Sequence, residues 1–351
     1  MTDDTARPSR RQVLAAGGIG AAAALLPTGS AATAATDDLI TRPLPGTSER
    51  VPALGLGTFQ TFDTQSQGYV TEVLRRFWEA GGRVVDTSPV YGAAERNVGV
   101  AAGRLGITER LFVTNKVWST GEYLWDDSHA ARGLRRSMDR LDRRRPIDVM
   151  QCHSLVNVDV VVPLLHAWKK EGRVARIGVT HHEPDYFGIL AKWVEAADLD
   201  VVQVHYSIHT RLAEERVLRA AAERGTAVLV NMPLEKGRLL AVTRERPLPG
   251  FVAEYGIRTW SQYFLKWAMS HPAVTCVLAA TANPDHMREN AGAMHGRLPD
   301  PDTRERMARH MATVPGFDQV GRMPWYPGRT YPGLVSRAQA ALRRRSPWWP
   351  S

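Results

Sequence analysis

Gly81-Gly82-Arg83-Val84-Val85-Asp86-Thr87-Ser88-Pro89-Val90-Tyr91-Gly92-Ala93-Ala94-Glu95-Arg96-Asn97 is the stretch around which the chain is organised. The glycine pair breaks a helix and opens a strand. Two β-branched valines suit residues 83–87 to a short buried strand, and Asp86 falls at its C-terminal end. Ser88-Pro89 ends the strand, Tyr91-Gly92 makes a loop, and a helix starts at Ala93. A strand that stops at Asp is ordinary turn chemistry. Two other stretches change its meaning. Leu111-Phe112-Val113-Thr114-Asn115-Lys116 and Asp148-Val149-Met150-Gln151-Cys152-His153 are strands that also end in an ionisable residue. Asp86, Tyr91, Lys116 and His153 thus stand at or just after the ends of three successive strands of a β/α chain.

Working outward, strands are expected near 54–58, 83–87, 111–116, 148–152, 175–179, 200–204, 227–231 and 275–279. Amphipathic stretches lie between them: Tyr69–Ala80, Ser128–Leu141, Val160–Glu171, Pro184–Ala196 and Arg211–Arg224. Eight strands, each followed by a helix, match a closed parallel (β/α)8 TIM barrel better than an open doubly wound sheet. The C-terminal strand ends form the active face of such barrels, which places Asp86, Lys116 and His153 on one rim. Leu39 to Pro52 reads as a β-hairpin broken by Pro43, Pro45 and Gly46. Gly55 and Gly57 lack the spacing of a dinucleotide-binding loop. Pro301–Met311 is a further helix, followed by a Pro-, Trp- and Arg-rich tail. The expected division is a leader over 1–35, the barrel over 36–315 and the tail over 316–351.

The 351 residues are 44% hydrophobic, enough for a large core, and the net charge is +9. The arginines are spread over helices and interleaved with Asp139 and Asp142, as in Arg132, Arg135, Arg136, Arg140 and Arg143. That pattern is a solvated surface, and no nucleic-acid signature accompanies it. Cys152 and Cys276 fall in expected strands and read as free buried thiols. Ser9-Arg10-Arg11-Gln12-Val13-Leu14 is a twin-arginine pattern, followed by a weakly apolar run too short to span a membrane and by Ala32-Thr33-Ala34, a small-residue cleavage site. The expected partner is the twin-arginine export machinery, and the expected location is periplasmic or extracellular.

Asp86 and Tyr91 five residues apart after the second strand, Lys116 ending the third and His153 ending the fourth resemble the aldo-keto reductases, from about Leu44 to Asn290. The resemblance implies a barrel with an N-terminal hairpin and a C-terminal extension. It implies reduction of an aldehyde or ketone by NADPH, with NADH possible. In it Tyr91 is the general acid, Lys116 lowers the Tyr91 pKa, Asp86 anchors Lys116, His153 orients the carbonyl and Trp118 lines the substrate pocket. The implied cofactor residues are Gly57 and Thr58 on the first strand, Thr180 and His181 in place of a Ser-Asn pair, and Gln203. Asn231, Pro233, Leu234, Lys236 and Arg238 follow the seventh strand, and Thr281, His286, Glu289 and Asn290 follow the eighth. The chain departs from the family pattern in three places: His181 replaces Asn, no stacking aromatic follows the seventh strand, and Ala280 and His286 replace the bases that meet a 2′-phosphate, leaving Arg288 as the nearest cation. Ser119–Asp127 and the tail are expected to shape the substrate pocket. Two rival readings stay open. One is a catalytically inactive nucleotide-binding barrel. The other is a metal-dependent hydrolase using His153, His181, His182 and His205, although the carboxylate and HxH ligands of that class are missing.

Overall fold

The computed structural model describes residues 39–118 and 128–345. The twin-arginine leader and the Ser119–Asp127 loop lie outside the described residues. In chain order the hairpin strands are β1 (Thr41–Pro43) and β2 (Arg50–Pro52), then β3 (Leu54–Gly57), α1 (Gln67–Glu79), β4 (Val84–Asp86), α2 (Ala94–Arg104), β5 (Phe112–Val117) and α3 (Ser128–Leu141). They are followed by β6 (Val149–His153), α4 (Val158–Lys170), β7 (Ile177–His181), α5 (Phe187–Ala196), β8 (Val201–His205), α6 (Val217–Arg224), β9 (Ala227–Asn231) and α7 (Arg238–Val242). The chain continues through α8 (Trp260–Met269), β10 (Cys276–Ala280), α9 (Pro284–Ala291), α10 (Pro301–Ala312) and α11 (Leu334–Arg345). Strands β3 to β10 close into one parallel barrel, β10 pairing with β3 through Val277↔Leu54 to Ala280↔Gly57. Each barrel strand begins and ends within two residues of its sequence expectation.

Two layers of apolar side chains hold this closed sheet. Inside, at the strands' N-terminal ends, Val84, Phe112, Val149, Val201 and Leu229 pack with Leu44 and Val51 of the hairpin. The hairpin therefore plugs the bottom of the barrel. Outside, the helices bury Phe77, Trp168, Leu190, Phe264 and Trp267 against the sheet. At about 25 cal/mol per Å² of apolar surface removed from water, this double burial is the main driving force of the fold. Cys152 and Cys276 are free and buried, as their strand positions imply.

Two expected helices are broken. Pro184–Ala196 opens with a 3₁₀ turn over Pro184–Tyr186 before α5. The stretch Arg211–Arg224 is a 3₁₀ turn at Leu212–Glu214 and then α6, because Arg216 leaves helical geometry at φ −134°. Between β9 and α7 the chain takes left-handed backbone at Met232, Glu235, Lys236 and Gly237. Three of these are not glycine, and such backbone persists only where its surroundings over-determine it. Buried Glu235 does that here. Its carboxylate accepts from Ser207 Oγ (2.6 Å) and pairs with His205 Nε2 (2.6 Å) and Arg238 Nη2 (2.5 Å).

Gly178 on β7 packs its Cα against the backbone carbonyl of Val201 on β8, where a Cβ would collide. Backbone cannot step aside as a flexible side chain does. Gly178→Ala is expected to destabilise the barrel by about 1–3 kcal/mol, read as a lower Tm and an earlier urea midpoint. An unchanged midpoint would show that β7 and β8 are not in this close register.

Candidate active site

The three rim residues sit where the register brings strand ends together. Asp86 ends β4 opposite Thr114 of β5, and Lys116 lies one turn of the pleat further along. Lys116 Nζ reaches Asp86 Oδ1 at 2.7 Å, Asp86 Oδ2 at 2.9 Å and the Thr87 carbonyl at 2.8 Å. Thr114 Oγ1 donates to Asp86 Oδ1 at 2.6 Å. Both members of the pair are almost fully buried, with Lys116 2% and Asp86 4% exposed. Desolvation dominates Lys116 and pulls its pKa down, against the opposing pull of Asp86.

Tyr91 lies beside this pair, its ring centroid 5.1 Å from Lys116 Nζ. The three ammonium protons of Lys116 have three acceptors in Asp86 and Thr87. Burial, with Asp86 and Tyr326 adding to it, holds the Tyr91 pKa well above its ordinary value. This differs from the sequence expectation that Lys116 lowers it. The physical reason is burial, which disfavours the charged phenolate, with the nearby Asp86 carboxylate adding to it. Tyr91 is therefore a reliably protonated acid at neutral pH. His153 faces it edge-on at 5.8 Å between centroids, with Trp118 on its other side at 5.0 Å. His153 Nδ1 lies 3.1 Å from Ser88 Oγ. Burial, then Lys116, His182 and His181, push its pKa well down, so it is neutral. A neutral His153 that accepts from Ser88 Oγ at Nδ1 would carry its proton on Nε2.

All four residues open onto one cavity of about 670 Å³ at the C-terminal ends of the strands, a volume within the range of small-molecule and cofactor sites. Gly57, Thr58, Trp118, Thr180, Gln203, Asn231, Pro233, Leu234, Lys236, Thr281, His286, Glu289 and Asn290 line it too. Two expected cofactor residues do not. His181 turns away, accepting from the Glu183 N–H at 3.1 Å and stacking on Tyr186 at 4.0 Å. Side chains alternate along β7, so Thr180 and His182 face the cavity and His181 cannot. Arg238 is consumed by Glu235 and by the carbonyls of Gly321 and Met323. Arg288 is also outside the lining, pairing with Asp285 on the surface.

Aromatic side chains line the cavity from other segments. Phe59 packs edge-on against Tyr91 at 5.0 Å. Trp325, Tyr326 and Tyr331 of the C-terminal segment complete the wall, with Arg329, Val335 and Gln339. Lys236 Nζ sits 3.0 Å from the Trp325 ring centroid and 4.9 Å from that of Phe59. Burial and the Arg238 charge bring its pKa down to about 7. Asp63 was not singled out in the sequence, yet it joins two parts of the site: Oδ1 accepts from Ala93 N at 3.0 Å and Oδ2 from Val335 N at 2.7 Å. Glu95, also unforeseen, accepts from Asn115 and Ser137 beneath the Lys116 strand and pairs with Arg140.

A family model described as the Aldo/keto reductase family matches residues 53–307. The chain belongs to the aldo/keto reductase family. It is similar to the NADH-specific methylglyoxal reductase of Escherichia coli (strain K12), at 23% identity over 324 residues, 77% of this chain and 97% of that protein. It is also similar to the glyoxal reductase of Bacillus subtilis (strain 168), at 25% over 232 residues, 64% and 77% of the two chains. Among solved structures, the holo form of an aldo-keto reductase from Bacillus halodurans superposes with a TM-score of 0.63 at 20% identity, covering 77% of this chain and 96% of that one. An aldo/keto reductase from Klebsiella pneumoniae in complex with NADP and acetate gives 0.62 at 23%, covering 76% and 93%. These structures share its barrel fold.

The four histidines of the metal reading are dispersed. His205 pairs with Glu235, His181 stacks on Tyr186, and only His153 and His182 reach the cavity. Among the described residues no group of three or more His, Cys, Asp or Glu side chains is placed to hold a metal ion.

Asp86→Asn would strand the Lys116 ammonium in the interior, an expected loss of about 3–5 kcal/mol in denaturant titrations; Lys116→Met in the same background should recover part of it. The histidines add a pH dependence. Burial lowers the pKa of His153, His182 (to about 3) and His271 (to about 4) in the fold. The unfolded chain then binds more protons below about pH 6.5, so stability is whole above that value and declines as pH falls toward 4. Equal unfolding free energies at pH 7 and pH 5 would contradict this.

Proposed function

We propose that the chain reduces aldehydes or ketones with a nicotinamide dinucleotide, and that Tyr91, Lys116, Asp86 and His153 carry the chemistry. The observation behind this reading is that one buried ion pair, one protonated phenol and one neutral imidazole converge on the same cavity. The residues present suit the cofactor. Asn231 Oδ1 is a buried acceptor without a partner among the described residues, and Asn231 lines the cavity beside Gln203 and Thr180. These three would hold the carboxamide. Lys236 would meet the pyrophosphate, and Thr281, His286, Glu289 and Asn290 the adenosine end.

A reduced nicotinamide, when bound, supplies the hydride. The chain supplies the rest. Tyr91 holds its proton at neutral pH and gives it to the carbonyl oxygen as negative charge develops there. Lys116, 5.1 Å from the ring, then stabilises the phenolate left behind. Asp86 keeps the ammonium in place through both states. His153 donates from Nε2 to the same oxygen and fixes its direction. Trp118, 39% exposed at the rim, forms a substrate wall. The relatives named for methylglyoxal and glyoxal make small α-oxoaldehydes the first substrates to assay.

We also propose that the chain is exported by the twin-arginine route, a reading supported by Ser9-Arg10-Arg11-Gln12-Val13-Leu14 and the small-residue run after it. No helix among the described residues is long and apolar enough to cross a membrane.

Tyr91→Phe is expected to fold, to bind NADPH with a dissociation constant within about twofold of wild type, and to lose about 10²–10⁴-fold in kcat. Wild-type turnover by this variant would remove Tyr91 as the acid and favour a nucleotide-binding barrel without reductase chemistry. Replacing Arg10 and Arg11 together by Lys should keep the chain in the cytoplasmic fraction of a host carrying this export system; unchanged export would exclude the route.

A further inference from the structure

One end of the cavity is not used by the chemistry. Beyond β10 it is lined by Thr281, His286, Glu289 and Asn290. The turn after β10 offers no cation of its own: position 280 is Ala, and Arg288 points to the surface, 72% exposed and paired with Asp285. Besides Lys116 and Lys236, the cations that line the cavity are two arginines from other elements. Arg244 follows α7, and Arg329 lies on the C-terminal segment.

Arg329 is presented by a built structure. Its own N–H donates to the Tyr326 carbonyl at 2.9 Å, and Tyr326 N donates to the Lys236 carbonyl at 3.0 Å. Trp325 rests on Lys236, and α11 is held at Asp63 and at Gln60, whose Nε2 donates to Gln339 Oε1 at 3.1 Å. The Arg329 charge is felt at His286, where it is one of the causes, after burial, that lower the imidazole pKa. Its side chain bonds to Tyr331. Glu289, the one acid lining this end, is engaged by Ser261 Oγ at 2.6 Å. The carboxylate of Glu289 suits hydroxyl and amino groups, which leaves the Arg329 side for an anion.

We infer that Arg329, carried on the C-terminal segment, recognises the 2′-phosphate of NADPH and sets the choice of NADPH over NADH. The inference rests on the reading of this cavity as a nicotinamide dinucleotide site. A phosphomonoester is close to doubly charged at neutral pH and matches the planar guanidinium fork. NADH presents only a ribose hydroxyl at that place and gains nothing from Arg329. The family pattern puts this charge on the turn after the eighth strand; here it arrives from a segment remote in sequence.

The test is binding, followed by tryptophan quenching with NADPH and NADH titrated separately into the wild-type chain and Arg329→Ala. Arg329 is exposed, so the variant is expected to fold. The expected result is an NADPH dissociation constant raised about tenfold or more with the NADH value moved by less than about twofold. As a second readout, wild-type protein should bind 2′,5′-ADP more tightly than 5′-AMP, and the variant should not distinguish them. Equal weakening of NADPH and NADH, or unchanged selectivity, would overturn the role of Arg329 and leave the dinucleotide reading in place. Wild-type protein that binds neither NADPH nor NADH would overturn both.

Discussion

A single buried ion pair sets the terms for the rest of the site. Asp86 and Lys116 come from adjacent barrel strands, and each is nearly sealed from water. Neither is tolerable alone at that depth. Their mutual dependence fixes where β4 ends relative to β5, since the carboxylate must also meet Thr114. It fixes the loop above as well, because the Thr87 carbonyl takes the third ammonium contact. Tyr91 and Ser88 ride on that loop, and Ser88 holds His153. The geometry of acid, orienting base and charge store therefore descends from one electrostatic requirement on two strand ends.

The wall opposite the ion pair obeys a different constraint. The chain leaves β9 through left-handed backbone, and only the Glu235 cluster of His205, Ser207 and Arg238 makes that route stable. Arg238 in turn ties down Gly321 and Met323, the approach to the C-terminal segment. Lys236 is the product of this arrangement: an amine that loses much of its preference for the charged state through burial yet lies against two aromatic faces. An incoming phosphate would restore that preference, so Lys236 is poised to respond to a ligand rather than to a fixed neighbour.

Much of this was legible in the sequence, and the exceptions have physical causes. Barrel strands announce themselves through local β-branched runs between turn residues, so their limits and the positions of Asp86, Lys116 and His153 could be read directly. The His181 assignment failed because a family pattern was followed in place of the two-residue alternation of β7, which already points His181 away from Thr180 and His182. Arg238 carried a local warning too, an acid three residues before it at Glu235. The lower Tyr91 pKa was expected from one neighbouring charge, whereas burial, which acts in the opposite direction, depends on the whole fold. Phe59, Asp63 and Arg329 left no local trace. Their roles depend on which distant segments meet, as when residue 63 accepts from residue 335, and such pairings become visible only once the chain is folded.

The segment that covers the cavity follows, in the chain, the strand that closes the barrel. Strand β10 completes the barrel at residues 276–280, whereas the covering residues begin at Trp325. The sheet thus closes through strands that all precede the roof of the cavity. Once Asp63 accepts from Val335 and Trp325 settles on Lys236, a bound dinucleotide would leave only by lifting that roof. Retention of a molecule in the cavity would then depend on a few aromatic and acidic residues that join distant parts of the chain.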